Sequence, residues 1–344
     1  MAEKYINIHN LSVSEILYTF INDEVLPSTE INKAKFWSGF DKAVHELAIT
    51  NKKLIKIRER IQIDIDRWHL DNKDKKFNQK NYEKFLKEIN YLKEDQGNFK
   101  IITKNVDDEI SKIAGPQLVV PIMNSRYVLN AANARWMSLY DSLYGTDVIE
   151  SEESASERYD PERGLEVIKF TKKFLDNHFS LSNISWKDVT EIKVDKNNLN
   201  LIYGNKITNL KDEEKFIGYR GDLKKPSAVI LKNNNLHVEI IINPNAFSAK
   251  SDAAGISDII LESAITTICD HEDSVAAVDA KDKVSGYRNW LGLMKGNLVA
   301  RFEKNGKKLI RKLNPDRKFK LKNGNESKLH GRSLLLNRNV GHLM

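Results

Sequence analysis

The sequence predicts an α/β protein: a parallel strand-and-helix framework that carries an N-terminal helical region and an inserted antiparallel α+β module. Three observations point there. Short continuous apolar runs, QLVVPIM at 117–123 and Ala264 to Asp270, are each followed at once by a helical stretch, the repeating unit of a parallel sheet or barrel. Between them lie alternating strands joined by asparagine turns, the mark of antiparallel pairing. Ahead of both, residues 1 to about 112 read as charged helix with apolar positions at helical spacing.

Taken in order, Phe36, Trp37, Phe40, Val44 and Leu47 fall on one helical face, opened by an Asn32 cap. Leu54, Ile57, Ile61, Ile65 and Trp68 repeat the pattern, and Tyr82, Phe85, Leu86 and Ile89 give a third stripe after a lysine- and asparagine-rich loop at 71–81. Such stripes read as core. Gly115-Pro116 breaks the chain before the first buried strand, and Ser125 to Tyr144 reads as one helix rich in alanine and asparagine. An acidic linker at 150–158 leads to an amphipathic helix at 163–179 with Leu165, Ile168, Phe170 and Phe174 as its apolar positions. Alternating strands follow in EIKVDKNNLNLIY and SAVILKNNNLHVEIII. The second buried strand then leads to a helix from Val278 to Met294, Asn-Gly turns at 305–306 and 323–324 mark two hairpins, and SLLLNR at 333–338 is a third buried strand.

The chain has 344 residues, 40% apolar and 30% charged, which suits two or three domains or one large barrel with insertions. Its net charge of +7 is scattered, as in KKLIKIRER and DNKDKKFNQK, rather than clustered with aromatics as on a nucleic-acid face. A solvated basic surface is the favoured reading, with a patch for a phosphorylated cofactor behind it. The single cysteine, Cys269, excludes an intramolecular disulfide or a multi-cysteine zinc site; within TTIC it reads as a small core residue. No apolar run approaches the roughly 18–20 residues that cross a bilayer, and the start lacks a secretory apolar stretch, so no membrane is expected and cytoplasm is the default.

The densest chemistry is Asp270-His271-Glu272-Asp273, at the end of the second buried strand. Catalytic groups of strand–helix barrels sit where strands end, and Arg338 holds that place after the third strand, NSRY after the first. Carboxylates beside an arginine from another strand suit metal-assisted or enolate chemistry. The plainer alternative is salt-bridged loop carboxylates, with Asp273 and Ser274 capping the next helix. The pattern names no substrate.

Longer motifs narrow it. GPQLVVPIMNSRYVLNAANARWMSLYDSLYGTD, GYRGD, LKNNNLHVEI, DHEDSVAAVDAKDKVSGYRNWLGLMKG, KLIRKLN and LHGRSLLLNRNVGHLM resemble malate synthase of the G isoform, from near residue 16 to the last residue. The resemblance implies a helical clasp over 1–112 and the start of a (β/α)8 TIM barrel in three pieces, 113–148, 263–296 and 333–344. An α+β antiparallel module is implied as an insertion over 149–262 and 297–332. It implies Claisen condensation of acetyl-CoA with glyoxylate and hydrolysis to malate and CoA, with Mg²⁺ as cofactor, in a cytoplasmic enzyme that is monomeric at full length. By motif, Arg338 matches the catalytic, glyoxylate-binding arginine, while Asp270 and Glu272 match carboxylates that orient it and the metal's water shell. Val119, Arg126, Tyr127, Ser274 and Arg311 match positions that contact acetyl-CoA.

Two residues depart from the pattern: His271 stands where many members have cysteine, and Asn337 replaces an apolar strand residue and needs a polar partner if buried. A complete barrel needs roughly 200–250 residues. The expectation is therefore an N-terminal half, inactive alone, with the direct metal carboxylates and the general base downstream. The rival functions are a related acyl-CoA lyase and a non-enzymatic basic protein that binds CoA or nucleic acid.

Overall fold

The structure, a computed structural model, describes residues 3–150, 159–195, 197–304 and 306–341. The chain divides into two compact units, Met1–Asn105 and Val106–Met344.

The first unit opens with a hairpin the helical reading did not anticipate, Tyr5–Ile8 paired antiparallel with Leu11–Ser14. Its turn places His9 at φ 53°, a left-handed conformation that short polar residues tolerate better than branched ones. The first two predicted stripes lie on one helix of 40 residues, Lys33–Asn72, about 60 Å long at 1.5 Å per residue. The Asn32 side chain caps it, accepting from the amides of Ala34 and Lys35. Trp37 is buried, stacks 5.1 Å from Tyr18 and donates its indole N–H to Asn22 at 3.1 Å. At the far end Trp68 packs on Phe77, Tyr82 and Phe85, the last two in the helix Gln79–Glu88. Between those aromatic anchors Leu47 and Leu54 are 68% and 58% exposed, so the stripe is core at its ends and open at its centre.

In the second unit, Gln117–Pro121, Thr266–His271 and Leu334–Asn339 form one parallel sheet with Thr266–His271 in the middle. The middle strand is almost wholly buried on both faces, and its Thr266-Thr267-Ile268-Cys269 run carries no charge before Asp270. On one side of this sheet Val120, Ile122 and Cys269 share a core with Val128 and Leu129 of the helix Ser125–Asn133. Leu293 of the helix Ala280–Met294 and Ala300 of the hairpin Val299–Lys304/Lys307–Lys312 complete it.

The stretch Ser125 to Tyr144 is not one helix. It runs as the helix Ser125–Asn133, the strand Trp136–Ser138 and the helix Leu139–Tyr144. Long-range partners override the local helix preference of the alanines. Buried Arg135 bonds Glu262 at 2.9 Å and Glu109 at 2.7 Å, and the Trp136 indole donates to the His330 carbonyl at 2.7 Å. The strand itself pairs with Ile256–Glu262.

That short strand is the edge of a seven-stranded antiparallel sheet. From the opposite edge the order is Glu326–Leu329, Arg317–Leu321, Phe216–Gly221, Pro226–Asn233, Leu236–Ile242, Ile256–Glu262, Trp136–Ser138. The asparagine turn is as expected: Asn234 and Asn235 take φ 50° and 65° between Pro226–Asn233 and Leu236–Ile242. A three-stranded sheet, Glu191–Asp195, Asn198–Tyr203 and Lys206–Thr208, and the helix Pro161–His178 share its core. The buried face of that helix is Val167, Thr171 and Leu175; of the four apolar positions read from the sequence, Ile168 and Phe174 pack against this core, while Leu165 and Phe170 are 43% and 41% exposed. Of the span 297–332, only the second hairpin, Arg317–Leu321 with Glu326–Leu329, joins this sheet, while the first packs beside the parallel strands. The linker read at 150–158 lies, from 151 onward, outside the described residues.

Candidate active site

The parallel strands are paired so that Pro121, Asp270 and Arg338 stand side by side at one edge. Side chains alternate along a strand, so Asp270 and Arg338 share a face with Val119, while Cys269 and Asn337 face the other way. Register alone therefore brings residues 68 positions apart into contact.

The contact is a fork. Arg338 donates from Nε to Asp270 Oδ1 and from Nη2 to Oδ2, each at 2.9 Å. The Glu272 amide donates to Oδ1 at 2.9 Å, and the amide and hydroxyl of Ser274 donate to Oδ2 at 2.9 and 2.7 Å. Asp270 is fully buried, yet both its oxygens are saturated with donors, and the Arg338 guanidinium above all holds its carboxyl far below the usual range. Asp270 in turn holds the guanidinium above its ordinary value. Glu272 Oε2 lies 3.3 Å from Arg338 Nε, and Asp273, 70% exposed at its side chain, lies 3.7 Å from Nη2. Negative charge is crowded at this strand end because a guanidinium from the next strand arrives there.

Ser274 is turned onto Asp270, and neither it nor Asp273 caps the following helix. That helix starts at Ala280, capped by Asp279, whose side chain accepts the Asp282 amide at 2.8 Å. His271 points to the opposite face, 2% exposed, with its ring 5.2 Å from that of Tyr287. Burial, with Lys283 nearby, lowers its tendency to protonate. Cys269 is a buried core thiol pushed up to about 12 by its burial. Asn337 is exposed, so it leaves no buried amide without a partner.

The remaining sequence-selected residues gather beside the first strand. Asn124 caps the helix Ser125–Asn133 by accepting the Tyr127 amide at 3.1 Å. The Asn289 side chain donates to the Ile122 carbonyl at 2.8 Å, tying down the loop between strand and helix. A groove lined by Met123, Asn124, Ser125, Ser274 and Val275 joins this loop to the one after Asp270. The Arg126 guanidinium lies 5.4 Å from the Tyr127 ring centre and 5.0 Å from that of Phe302. Arg311 pairs with Ala300 and so projects from the same face of its hairpin as Phe302. Val119 and Tyr127 are 52% and 47% exposed. Arg126 thus lies against two aromatic rings, and Arg311 stands on the same hairpin face as one of them, an arrangement open to an anionic ligand.

Sequence reasoning missed Phe302, which only the alternation of VARFEK marks, and Asn289, a polar residue on the inner side of a helix. It also missed that Ser274 serves the Asp270 carboxylate. Among the described residues no group of three or more His, Cys, Asp or Glu side chains could hold a metal ion, and no helix is long and apolar enough to cross a membrane.

Two family models match the chain: "Malate synthase, N-terminal domain" over residues 17–78 and "Malate synthase G, alpha-beta insertion domain" over 159–233. Curated relatives named malate synthase G are similar along almost all of it. The Halalkalibacterium halodurans protein is 51% identical over 99% of this chain and 47% of its own length. The Corynebacterium glutamicum protein is 47% identical over 97% and 45%, and the Corynebacterium efficiens protein 45% identical over 98% and 46%. The chain spans about half the length of these relatives.

Proposed function

The chain belongs to the malate synthase G family, and from that membership we propose that it supplies the clasp, the first barrel strands and part of the active site of a malate synthase. The reaction is condensation of acetyl-CoA with glyoxylate, then thioester hydrolysis to malate and CoA, in a cytoplasmic enzyme that acts as a monomer. The three parallel strands are read as part of a (β/α)8 barrel whose catalytic end is the edge bearing Asp270 and Arg338.

The observation that carries this reading is the Asp270–Arg338 fork with Glu272 beside it. Condensation makes an enolate oxygen and then an alkoxide, and a fixed cation lowers the energy of both. Asp270 occupies Nε and Nη2 of Arg338, which orients the guanidinium and leaves the N–H groups of Nη1 for glyoxylate and the thioester oxygen. Burying Asp270 while exposing part of Arg338 keeps the carboxylate in its supporting role and the cation at the surface where substrate arrives. Arg126, Tyr127 and Arg311 take the CoA phosphates and base, with Val119 and Ser274 lining the path of the thioester arm.

A Mg²⁺ ion, where bound, would polarise the glyoxylate carbonyl. Among the described residues no cluster of His, Cys, Asp or Glu side chains is gathered to hold it: both Asp270 oxygens are consumed by Arg338, Ser274 and the Glu272 amide, and Glu272 and Asp273 flank the Arg338 cation. Glu272, 3.3 Å from Arg338 Nε, would orient the ion's water shell from this side.

The test is free-thiol release from acetyl-CoA and glyoxylate by the enzyme that carries this chain. Arg338→Lys is expected to cut kcat by about 10²–10³-fold with the fold intact, because the charge stays and the fork is lost. Turnover near wild type would overturn the assignment, and a lyase would release no thiol from this substrate pair.

A further inference from the structure

We infer that Asn133 is a positioning residue for acetyl-CoA, one that sets Arg311 against Arg126 without touching the ligand. The inference rests on the reading of those arginines given above.

The two arginines belong to different elements. Arg126 is in the first turn of the helix Ser125–Asn133, and Arg311 is on the strand Lys307–Lys312. That strand is exposed along its whole length and pairs with Val299–Lys304 alone, in a sheet of two strands. An isolated two-stranded hairpin is marginal in water, so its place must be fixed by what it packs against. Here that support is the Arg126 helix, through Ala300 in the shared core and Phe302 beneath the Arg126 guanidinium.

Neither contact is directional enough to fix the register of the Arg311 strand. Asn133, at the other end of the same helix, supplies direction. Its Nδ2 donates to the Lys312 carbonyl at 2.8 Å, and its Oδ1 accepts the Asn314 amide at 2.8 Å. The side-chain amide thus acts as one peptide group of a missing neighbour strand, and it holds the backbone at the residue following Arg311. Asn133 is 9% exposed, so water does not readily replace these bonds. Only a carboxamide of this length presents a donor and an acceptor together in this geometry.

Asn133→Asp keeps the shape but turns the donor into an acceptor that faces the Lys312 carbonyl. Losing one such bond and leaving its buried partner unsatisfied corresponds to about tenfold in an equilibrium. In the enzyme that carries this chain, the expected result is KM for acetyl-CoA raised about tenfold, with kcat and KM for glyoxylate near wild type. In an Arg311→Ala background, Asn133→Asp should add little to KM, since the group it positions is gone. Circular dichroism and melting confirm folding; should the aspartate variant fail to fold, Asn133→Ser, which keeps a shorter donor and acceptor, carries the same comparison. A tenfold effect that persists undiminished without Arg311, or an unchanged KM in a variant whose parent loses affinity on Arg311→Ala, overturns the inference. If Arg311→Ala leaves acetyl-CoA affinity intact, the reading of Arg311 itself has failed instead.

Discussion

Replacing Asp270 by asparagine separates the support of Arg338 from everything else at the site. The variant keeps the volume and one acceptor oxygen, but its NH₂ group must face either Arg338 Nε with the Glu272 amide or Arg338 Nη2 with the amide and hydroxyl of Ser274, all of which donate to the native carboxylate. Breaking a buried ion pair costs about 3–5 kcal/mol. Solvent reaches 36% of the Arg338 side chain, and Glu272 and Asp273 remain nearby, so part of that loss is recovered and about 2–3 kcal/mol is expected. At roughly 2–4 °C per kcal/mol for a unit of this size, Tm should fall by about 4–12 °C at neutral pH. The pH dependence has a definite sign. Asp270 is depressed in the folded protein, so its contribution is complete above the unfolded value of about 3.9 and is lost as pH falls from there toward the lower folded value. Scanning calorimetry of both proteins should therefore show a gap that narrows below about pH 4. Equal melting at neutral pH, or a gap that stays constant into acid, would refute the fork as a stabilising contact. Activity adds a second readout, since an Arg338 released from Asp270 should lose kcat even where the variant is fully folded.

Arg126→Ala removes a guanidinium lying over Tyr127 and Phe302, and steady-state kinetics should show KM for acetyl-CoA raised with kcat little changed; a selective fall in kcat would place Arg126 in the chemistry. Cys269 is inaccessible and its thiol is pushed up to about 12, so Ellman's reagent at about pH 8 should label it only on unfolding; rapid labelling of the folded protein would show that the strand Thr266–His271 opens.

The sequence by itself determined the local elements whose pattern is repetitive or strongly biased. The Asn32 cap, the asparagine turn at 234–235 and the three parallel strands were legible because capping, left-handed turns and short apolar runs each select residues within a few positions, although of the three strands only Thr266–His271 is buried on both faces. It also exposed Asp270 and Arg338 as strand-end residues, though not as partners. What only the tertiary structure decided depends on register and on distant charges. The break at Asn133 and the strand Trp136–Ser138 exist because Glu262 and Glu109 hold Arg135, and no local propensity carries that information. The buried face of Pro161–His178 centres on Val167, Thr171 and Leu175, so Ile168 and Phe174 reach the core at its margin while Leu165 and Phe170 stay partly exposed. The fork belongs to the same class: a shift of one residue in the pairing of Thr266–His271 with Leu334–Asn339 would put Asp270 and Arg338 on opposite faces, and only the packed sheet fixes that register.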